Sequence, residues 1–397
     1  MAGPGEADLL AIVAPRPRAA ALVRDAWDAD AAVTVLDPTA PRAVLDGLLA
    51  AVAPTHIVDD DGRRVLPGGV PVPAGTAAVV VTSGTTGAPK GVELTVEGAT
   101  AIGHGWAGVM GHEPDDHWLV CLPLHHVAGL AILARARVTG AAVTVHDGFD
   151  LGAVGAAPGA LGATLVSVVP TMLGRLLDAG APVHEYRRVV TGGAPLPPAL
   201  RDRAQAAGVA VMDAYGQSET WGGCVANGVP IPGATVRLGP ADEIEIAGAM
   251  VMRDYRRDPE ASRRAFTHDG WLRTGDVGAF APDGRLQVVD RMRDLVITGG
   301  VNVSPVEVEH VLADHPAVAD VAVVGAPDAE WGERVVAHVV PRDPAAPPTL
   351  DDLRAFARDR LTAPKLPREL VVVEAVPRSP GGKILRRELR APRDGGR

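Results

Sequence analysis

Of the 38 basic residues in this chain of 397, only Lys90, Lys365 and Lys383 are lysines, and two of them sit in glycine-flanked loops. An ammonium is a compact point charge that fits against a phosphate oxygen where a planar guanidinium does not. Lys90 closes the run Thr82-Ser83-Gly84-Thr85-Thr86-Gly87-Ala88-Pro89-Lys90, which follows the apolar stretch Ala77-Ala78-Val79-Val80-Val81. A buried strand feeding such a loop lets backbone N–H groups and hydroxyls converge on polyphosphate, because the side chains are small. A nucleoside triphosphate is the expected ligand. The Walker A spacing is absent: Gly84, Gly87 and Lys90 fall at intervals of three, and no hydroxyl follows the lysine.

Other polar clusters follow predicted strands. Asp213-Ala214-Tyr215-Gly216-Gln217-Ser218-Glu219-Thr220 is expected at a strand's carboxyl end, where open α/β sheets place ligands. Glu219 is the kind of hard carboxylate that a hydrated cation beside phosphates requires, although a helix-start acid reads the same way. Gly192-Gly193-Ala194-Pro195 leaves backbone close enough for a flat base or an acyl chain to pack on it. Trp271-Leu272-Arg273-Thr274-Gly275-Asp276 holds a turn with one acid. His125 and His126 are adjacent, expected to point to opposite faces of a strand, and so make a poor chelate. Gly381-Gly382-Lys383 sets an ammonium behind two glycines, which a solvated basic tail does not explain.

In this order the motifs resemble those of the adenylate-forming superfamily of acyl-CoA synthetases, luciferases and peptide-synthetase adenylation domains. The resemblance runs from about residue 77 to 389. It implies that Thr82, Ser83, Gly84, Thr85, Thr86, Gly87 and Lys90 hold the phosphates of ATP. Gly193, Ala194, Pro195 and Tyr215 would hold adenine, Asp213 and Gly216 would belong to the same ATP/AMP site, and Asp276 and Arg291 would hold the ribose. Thr220 would bind the α-phosphate, Glu219 would hold Mg²⁺, and Lys383 would bridge the substrate carboxylate and the α-phosphate. His125, His126, Gly192, Trp221 and Gly222 would line the acyl pocket, with His126 moving between half-reactions. Gly299 and Gly300 would approach CoA, and Arg293 takes the hinge position, where the family carries aspartate or lysine. The run Ser218-Glu219-Thr220-Trp221-Gly222-Gly223-Cys224 and a shortened front look most like the compact o-succinylbenzoate:CoA ligases of menaquinone synthesis. Trp221 departs from the small residue expected there.

These groups need a scaffold, and the chain is long enough for two or more domains. From residue 77 strands and helices alternate, as in parallel sheets covered by helices; beyond Pro230 short strands and turns suggest a small antiparallel barrel. The expected fold is α/β: an N-terminal domain over 1–290, with the barrel-like part at about 231–290, and a small mobile α+β domain over 291–397. The helices are expected at Val96 to Met110, Ala128 to Arg137 and Pro305 to Ala313, among others. Aromatic residues make up 3%, so small aliphatic side chains must fill the core.

The net charge of −10 argues against a nucleic-acid surface. Two cysteines, Cys121 and Cys224, exclude a disulfide framework, and no apolar run spans a bilayer; a cytoplasmic setting is expected. The implied reaction joins a carboxylic acid to CoA through acyl-AMP, with ATP, Mg²⁺ and CoA as cofactors and co-substrate. A fatty or aryl acid ligase, a stand-alone adenylation enzyme serving a carrier protein, a nucleotide-binding pseudoenzyme and a homodimer remain open at this point.

Overall fold

The computed structural model describes residues 5–83, 89–378 and 384–390. Gly84, Thr85, Thr86, Gly87 and Lys383 therefore lie outside the described residues. The chain forms two compact units: Met1–Arg237 with Glu245–Thr274, and Leu238–Ile244 with Gly275–Arg397.

The first unit holds two seven-stranded sheets. In one, Leu9–Val13 is flanked in parallel by Ala32–Leu36 and His56–Asp59, and Ala32–Leu36 also pairs with Thr76–Ser83. Every residue of Ala32–Leu36 is buried, as expected of a strand covered on both faces. Thr76–Ser83 then turns back antiparallel into Pro89–Thr95, with Thr82 opposite Lys90 and Ser83 opposite Pro89. Ser83, the last residue of that strand, stands at the carboxyl end of an inner strand of the sheet. Asp254–Tyr255 completes the sheet by pairing with the outer side of Pro89–Thr95.

In the other sheet Ala142–Val145, His117–Val120, Leu165–Val168, Arg188–Gly192 and Val211–Gln217 run parallel. The crossovers are helices, including Val127–Thr139, Leu151–Leu161 and Pro198–Ala206. Leu119, Val154, Val166, Leu173, Tyr186 and Val189 form the core between them, aliphatic apart from one tyrosine. Gly222–Ala226 and Val229–Pro230 extend the edge antiparallel.

Two local expectations are corrected here. The strand does not end at Asp213 but runs through Tyr215 to Gln217, because it pairs with Gly222–Ala226 across an irregularity at Tyr215/Gly216. The two backbones approach so closely there that a Cβ on Gly216 would lie 1.8 Å from the Gly222 carbonyl oxygen, so only glycine fits. His125 and His126 are not on a strand: they follow Pro123 in a turn, and His126 is the residue before helix Val127–Thr139. Their rings lie side by side, centroids 4.4 Å apart, rather than on opposite faces.

The four-stranded sheet of Thr235–Leu238, Glu243–Ala247, Leu272–Phe280 and Leu286–Arg291 corresponds to the expected antiparallel part, and the unit boundaries fall within its strands. The rest of the second unit is a five-stranded sheet. Val318–Asp328 and Gly332–Pro341 form its long hairpin, Glu369–Val372 adds in parallel, and Val296–Thr298 and Val301–Val303 make a short hairpin. Helices Pro305–Ala313 and Leu350–Ala357 contribute Val308, Leu312 and Leu353 to its core. No helix among the described residues is long and apolar enough to cross a membrane.

Candidate active site

The polar motifs of the first unit share one topological position. Ser83, the turn before His125, Gly192 and Gln217 each follow, or end, a strand at its carboxyl terminus. Gln217 is fixed by donating from Nε2 to the Thr274 carbonyl at 2.7 Å. A one-turn helix over Ser218–Thr220 follows, capped reciprocally by the Gln217 and Thr220 side chains. The buried Thr220 hydroxyl accepts from the Gln217 N–H at 2.9 Å and donates to the Gly222 carbonyl at 2.7 Å, so here it holds the turn itself.

Glu219 points elsewhere. The Tyr255 hydroxyl donates to its Oε1 at 2.7 Å, and the Lys90 Nζ lies 4.9 Å from the centroid of the same tyrosine ring. One tyrosine thus brings the loop lysine and the motif carboxylate together. Among the described residues no cluster of three or more His, Cys, Asp or Glu could hold a metal. Mg²⁺ beside phosphates is typically held by one or two carboxylates and completes its shell with phosphate oxygens and water. Glu219, half-buried with Oε2 outside the tyrosine bond, fits such a ligand.

Asp213 is clamped on its backbone by Asn227, which accepts from its N–H at 2.9 Å and donates to its carbonyl at 2.7 Å. Burial pushes its carboxyl above the ordinary carboxylate value, while the Arg201 guanidinium, 2.9 Å away, opposes the shift. Gly193 has φ +80° and is exposed, as is Pro195; Ala194 is half-buried.

The acyl-pocket candidates separate. Gly222 stands over Val127 and Ala131 of helix Val127–Thr139. Trp221, by contrast, is fully buried at φ +53°, donates from its indole to the Thr95 carbonyl at 3.1 Å, and packs against Gly98. The bulky residue is therefore seated on the start of helix Val96–Met110. His125 is pushed down to about 4 by burial, and by the positive charge of His126 and Arg16 against the opposing Asp37. His126 is shifted down for the same leading reason, so both rings are neutral near pH 7.

Three further contributors escaped sequence reasoning. Arg16 and Asp37 follow the strands Leu9–Val13 and Ala32–Leu36 at their carboxyl ends; Arg16 donates to the Cys121 carbonyl at 2.9 Å, and Asp37 accepts from the N–H and hydroxyl of Thr39. Arg135 is the third. It lies one and two turns beyond Ala131 and Val127 on the same helix face. Its guanidinium is 4.4 Å from the centroid of the Trp106 ring, and Trp106 donates to the Gly223 carbonyl at 2.7 Å. Among the described residues Nε has no hydrogen-bond partner, and burial pushes the group down to about 9 with no charged neighbour there to offset it. An arginine on an otherwise buried helix was the available signal.

In the second unit Asp276 is buried and pairs across the Leu272–Phe280/Leu286–Arg291 hairpin with Arg291, whose Nε lies 2.7 Å from Oδ1. Asp290 accepts from the Ser304 hydroxyl at 2.7 Å and the Val306 N–H at 3.0 Å, which ties strand Leu286–Arg291 to the start of helix Pro305–Ala313. Arg293 is exposed. Gly299 and Gly300 form the turn of the hairpin at 296–303, and Gly299 donates to the Trp331 carbonyl at 2.8 Å. Lys365 is accounted for by Glu307, whose two carboxylate oxygens lie 2.6 and 2.7 Å from Nζ. The segment before Lys383 ends at Arg378, paired with Asp320 at 2.8 Å, and the segment after it carries Arg386, paired with buried Glu309 at 2.7 Å.

Residues 18–255 match the family model of the AMP-binding enzymes, and residues 307–383 that of the AMP-binding enzyme C-terminal domain. The chain is 38% identical over 354 residues to a probable 2-succinylbenzoate–CoA ligase of Mycobacterium tuberculosis, covering 87% of this chain and 88% of the relative. Its fold is similar to o-succinylbenzoate CoA synthetase of Bacillus subtilis in complex with the acyl-adenylate intermediate OSB-AMP. That match has TM-score 0.86 and 28% identity, over 98% of this chain and 89% of that one. The same Bacillus subtilis synthetase in complex with ATP and a magnesium ion matches with TM-score 0.84 and 28% identity, over 96% and 89%. The chain belongs to the AMP-binding enzyme family, and carries that family's C-terminal domain.

Proposed function

We propose that this chain is an ATP-dependent acid–thiol ligase that converts 2-succinylbenzoate to its CoA thioester in menaquinone synthesis, in the cytoplasm. The similarity to 2-succinylbenzoate–CoA ligases over most of the chain supports the reaction. The observation that carries the substrate is Arg135, a buried cation with no acid beside it among the described residues, stacked on Trp106, whose indole bonds the Gly223 carbonyl. A buried charge is stable only when paired, so such a pocket favours an acid that brings a second carboxylate. 2-Succinylbenzoate has two: one is activated and the other remains ionised.

In the first half-reaction a carboxylate oxygen attacks the α-phosphorus of ATP, the bond to the β-phosphate oxygen breaks, and pyrophosphate leaves. Lys90 and the loop from Thr82 to Gly87 would hold the phosphates. Thr220 would donate to the α-phosphate once its turn contacts are exchanged, and Lys383 would offset the charge gathering between carboxylate and phosphate. Asp276, oriented by Arg291, would accept from the ribose hydroxyls; Tyr215, Gly216, Asp213 and the loop from Gly192 to Pro195 would take adenine. Glu219 would hold Mg²⁺, which when bound neutralises phosphate charge. Neutral His125 and His126 would line the carboxylate path without competing for its charge.

In the second half-reaction the CoA sulfur attacks the acyl carbonyl, its proton passes to solvent, and AMP leaves. The domain from residue 291 would turn about Arg293 to bring Gly299 and Gly300 to the thiol. Pyrophosphate exchange into ATP, measured with 2-succinylbenzoate, 4-oxo-4-phenylbutanoate, benzoate and octanoate, tests the reading. 2-Succinylbenzoate should give the highest kcat/KM, and equal or better exchange with octanoate contradicts the assignment.

A further inference from the structure

We propose that Tyr255 is a positioning residue of the adenylation step: its hydroxyl orients the Glu219 carboxylate for a divalent cation arriving with ATP, while its ring holds the Lys90 ammonium nearby. The inference rests on the reading of Glu219 as a metal ligand.

The backbone shows why the tyrosine is there. Residues 252–256 run along Pro89–Thr95, with Tyr255 opposite Val92. Arg253 N–H donates to the Glu93 carbonyl at 2.9 Å and Arg256 N–H to the Gly91 carbonyl at 2.7 Å. The same segment reaches Glu219 twice. Met252 N–H donates to the Glu219 carbonyl at 2.7 Å, and the Tyr255 hydroxyl donates to the carboxylate at 2.7 Å. Buried Arg256, paired with Glu93 at 3.0 Å, anchors the strand immediately after the tyrosine. Glu219 is thus held at backbone and side chain by one short strand, which also flanks Lys90.

The chemistry explains why a tyrosine suits the position. A phenol donates one hydrogen bond without cancelling the carboxylate's charge, so Oε1 is occupied and Oε2 keeps its attraction for a cation. Had Lys90 paired directly with Glu219, each nucleotide would have to break an ion pair. Over the ring at 4.9 Å the ammonium is attracted by the π face and leaves readily for phosphate. Such outer partners fix the direction of a metal-binding oxygen, and their loss typically weakens metal affinity by about 10- to 100-fold.

Tyr255→Phe removes the hydroxyl and keeps the ring. Binding of Mn²⁺ to the full chain with α,β-methylene-ATP, followed by electron paramagnetic resonance, should weaken by about 10- to 100-fold. Affinity for the same nucleotide in EDTA, and the Tm, should stay within a few-fold and a few degrees of the parent. Because Tyr255 acts through Glu219, adding Tyr255→Phe to Glu219→Gln should cost nothing more. An unchanged Mn²⁺ affinity in Tyr255→Phe, or a further full loss on top of Glu219→Gln, overturns the proposal. If Glu219→Gln binds Mn²⁺ like the parent, the metal-ligand reading falls with it; if only Tyr255→Phe is without effect, that reading stands.

Discussion

The guanidinium of Arg135 lies 4.4 Å from the centroid of the Trp106 ring, and the indole of Trp106 donates to the carbonyl of Gly223 at 2.7 Å. The contact joins a buried cation, with no acid beside it among the described residues, to the strand edge expected to line the acyl pocket. Arg135→Met keeps an unbranched apolar stem and removes the guanidinium and its charge. With 2-succinylbenzoate its kcat/KM in pyrophosphate exchange should fall by about 10²-fold, the scale of a hydrogen bond to a charged group. With 4-oxo-4-phenylbutanoate, which lacks the ring carboxylate, it should change little. Equal losses with both acids would mean that Arg135 only fills space.

Trp221 and Gly98 are a second coupled pair. A Cβ on Gly98 would meet the indole Cδ1 at 2.8 Å and Nε1 at 2.9 Å. Gly98→Ala should therefore cost about 1–3 kcal/mol, the range for overpacking a filled interior, and lower the Tm by several degrees. Combining it with Trp221→Ser, which empties the seat, should give less than the sum of the two single losses in differential scanning calorimetry. Additive losses would refute the coupling.

His125 predicts a pH dependence of stability. Its folded value of about 4 lies below the ordinary 6.5, so between those limits the unfolded chain takes up a proton that the folded chain refuses. The stabilisation is complete above about pH 6.5 and is lost as pH falls toward 4. His125→Asn removes that uptake, so its Tm should decline less between pH 7 and pH 5 than the parent's. His126 shifts in the same direction, so part of the slope should remain.

Lys383→Ala tests the division of labour within the second unit, whose sequence carries both Gly299-Gly300 and Lys383. Formation of acyl-AMP should drop by about 10² to 10⁴, as for removal of one charge-stabilising group. Thioester formation from supplied acyl-AMP and CoA should proceed near the parent rate. A parallel fall in both half-reactions at unchanged Tm would contradict alternation between two working positions.

The α/β scaffold was legible because each phosphate or base motif sits beside an apolar strand run, as at Ala77 to Val81, and because Val96–Met110 carries helix signals at both ends: Thr95 accepting from the Gly98 N–H and Gly111 beyond. What escaped depends on pairings remote in sequence. Leu9–Val13 is by itself only a short apolar run, yet it lies inside the sheet once Ala32–Leu36 and His56–Asp59 flank it. The strand through Tyr215 became visible only with its partner at Gly222–Ala226. Tyr255 is 36 residues from the carboxylate it holds, and nothing in its local pattern points there. The resemblance places Trp221 at the acyl pocket, yet the residue is fully buried at a positive φ against Gly98 and the Thr95 carbonyl, contacts far from it in sequence.

The central claim is that acid, ATP and CoA are joined through an adenylate. Purified protein given 2-succinylbenzoate, ATP, Mg²⁺ and CoA, with products resolved by liquid chromatography and mass spectrometry, tests it most directly. The account predicts 2-succinylbenzoyl-CoA, AMP and pyrophosphate in equal amounts, and acyl-AMP accumulating when CoA is withheld. Release of ADP and phosphate, or no acid-dependent AMP with any carboxylate tried, would contradict it.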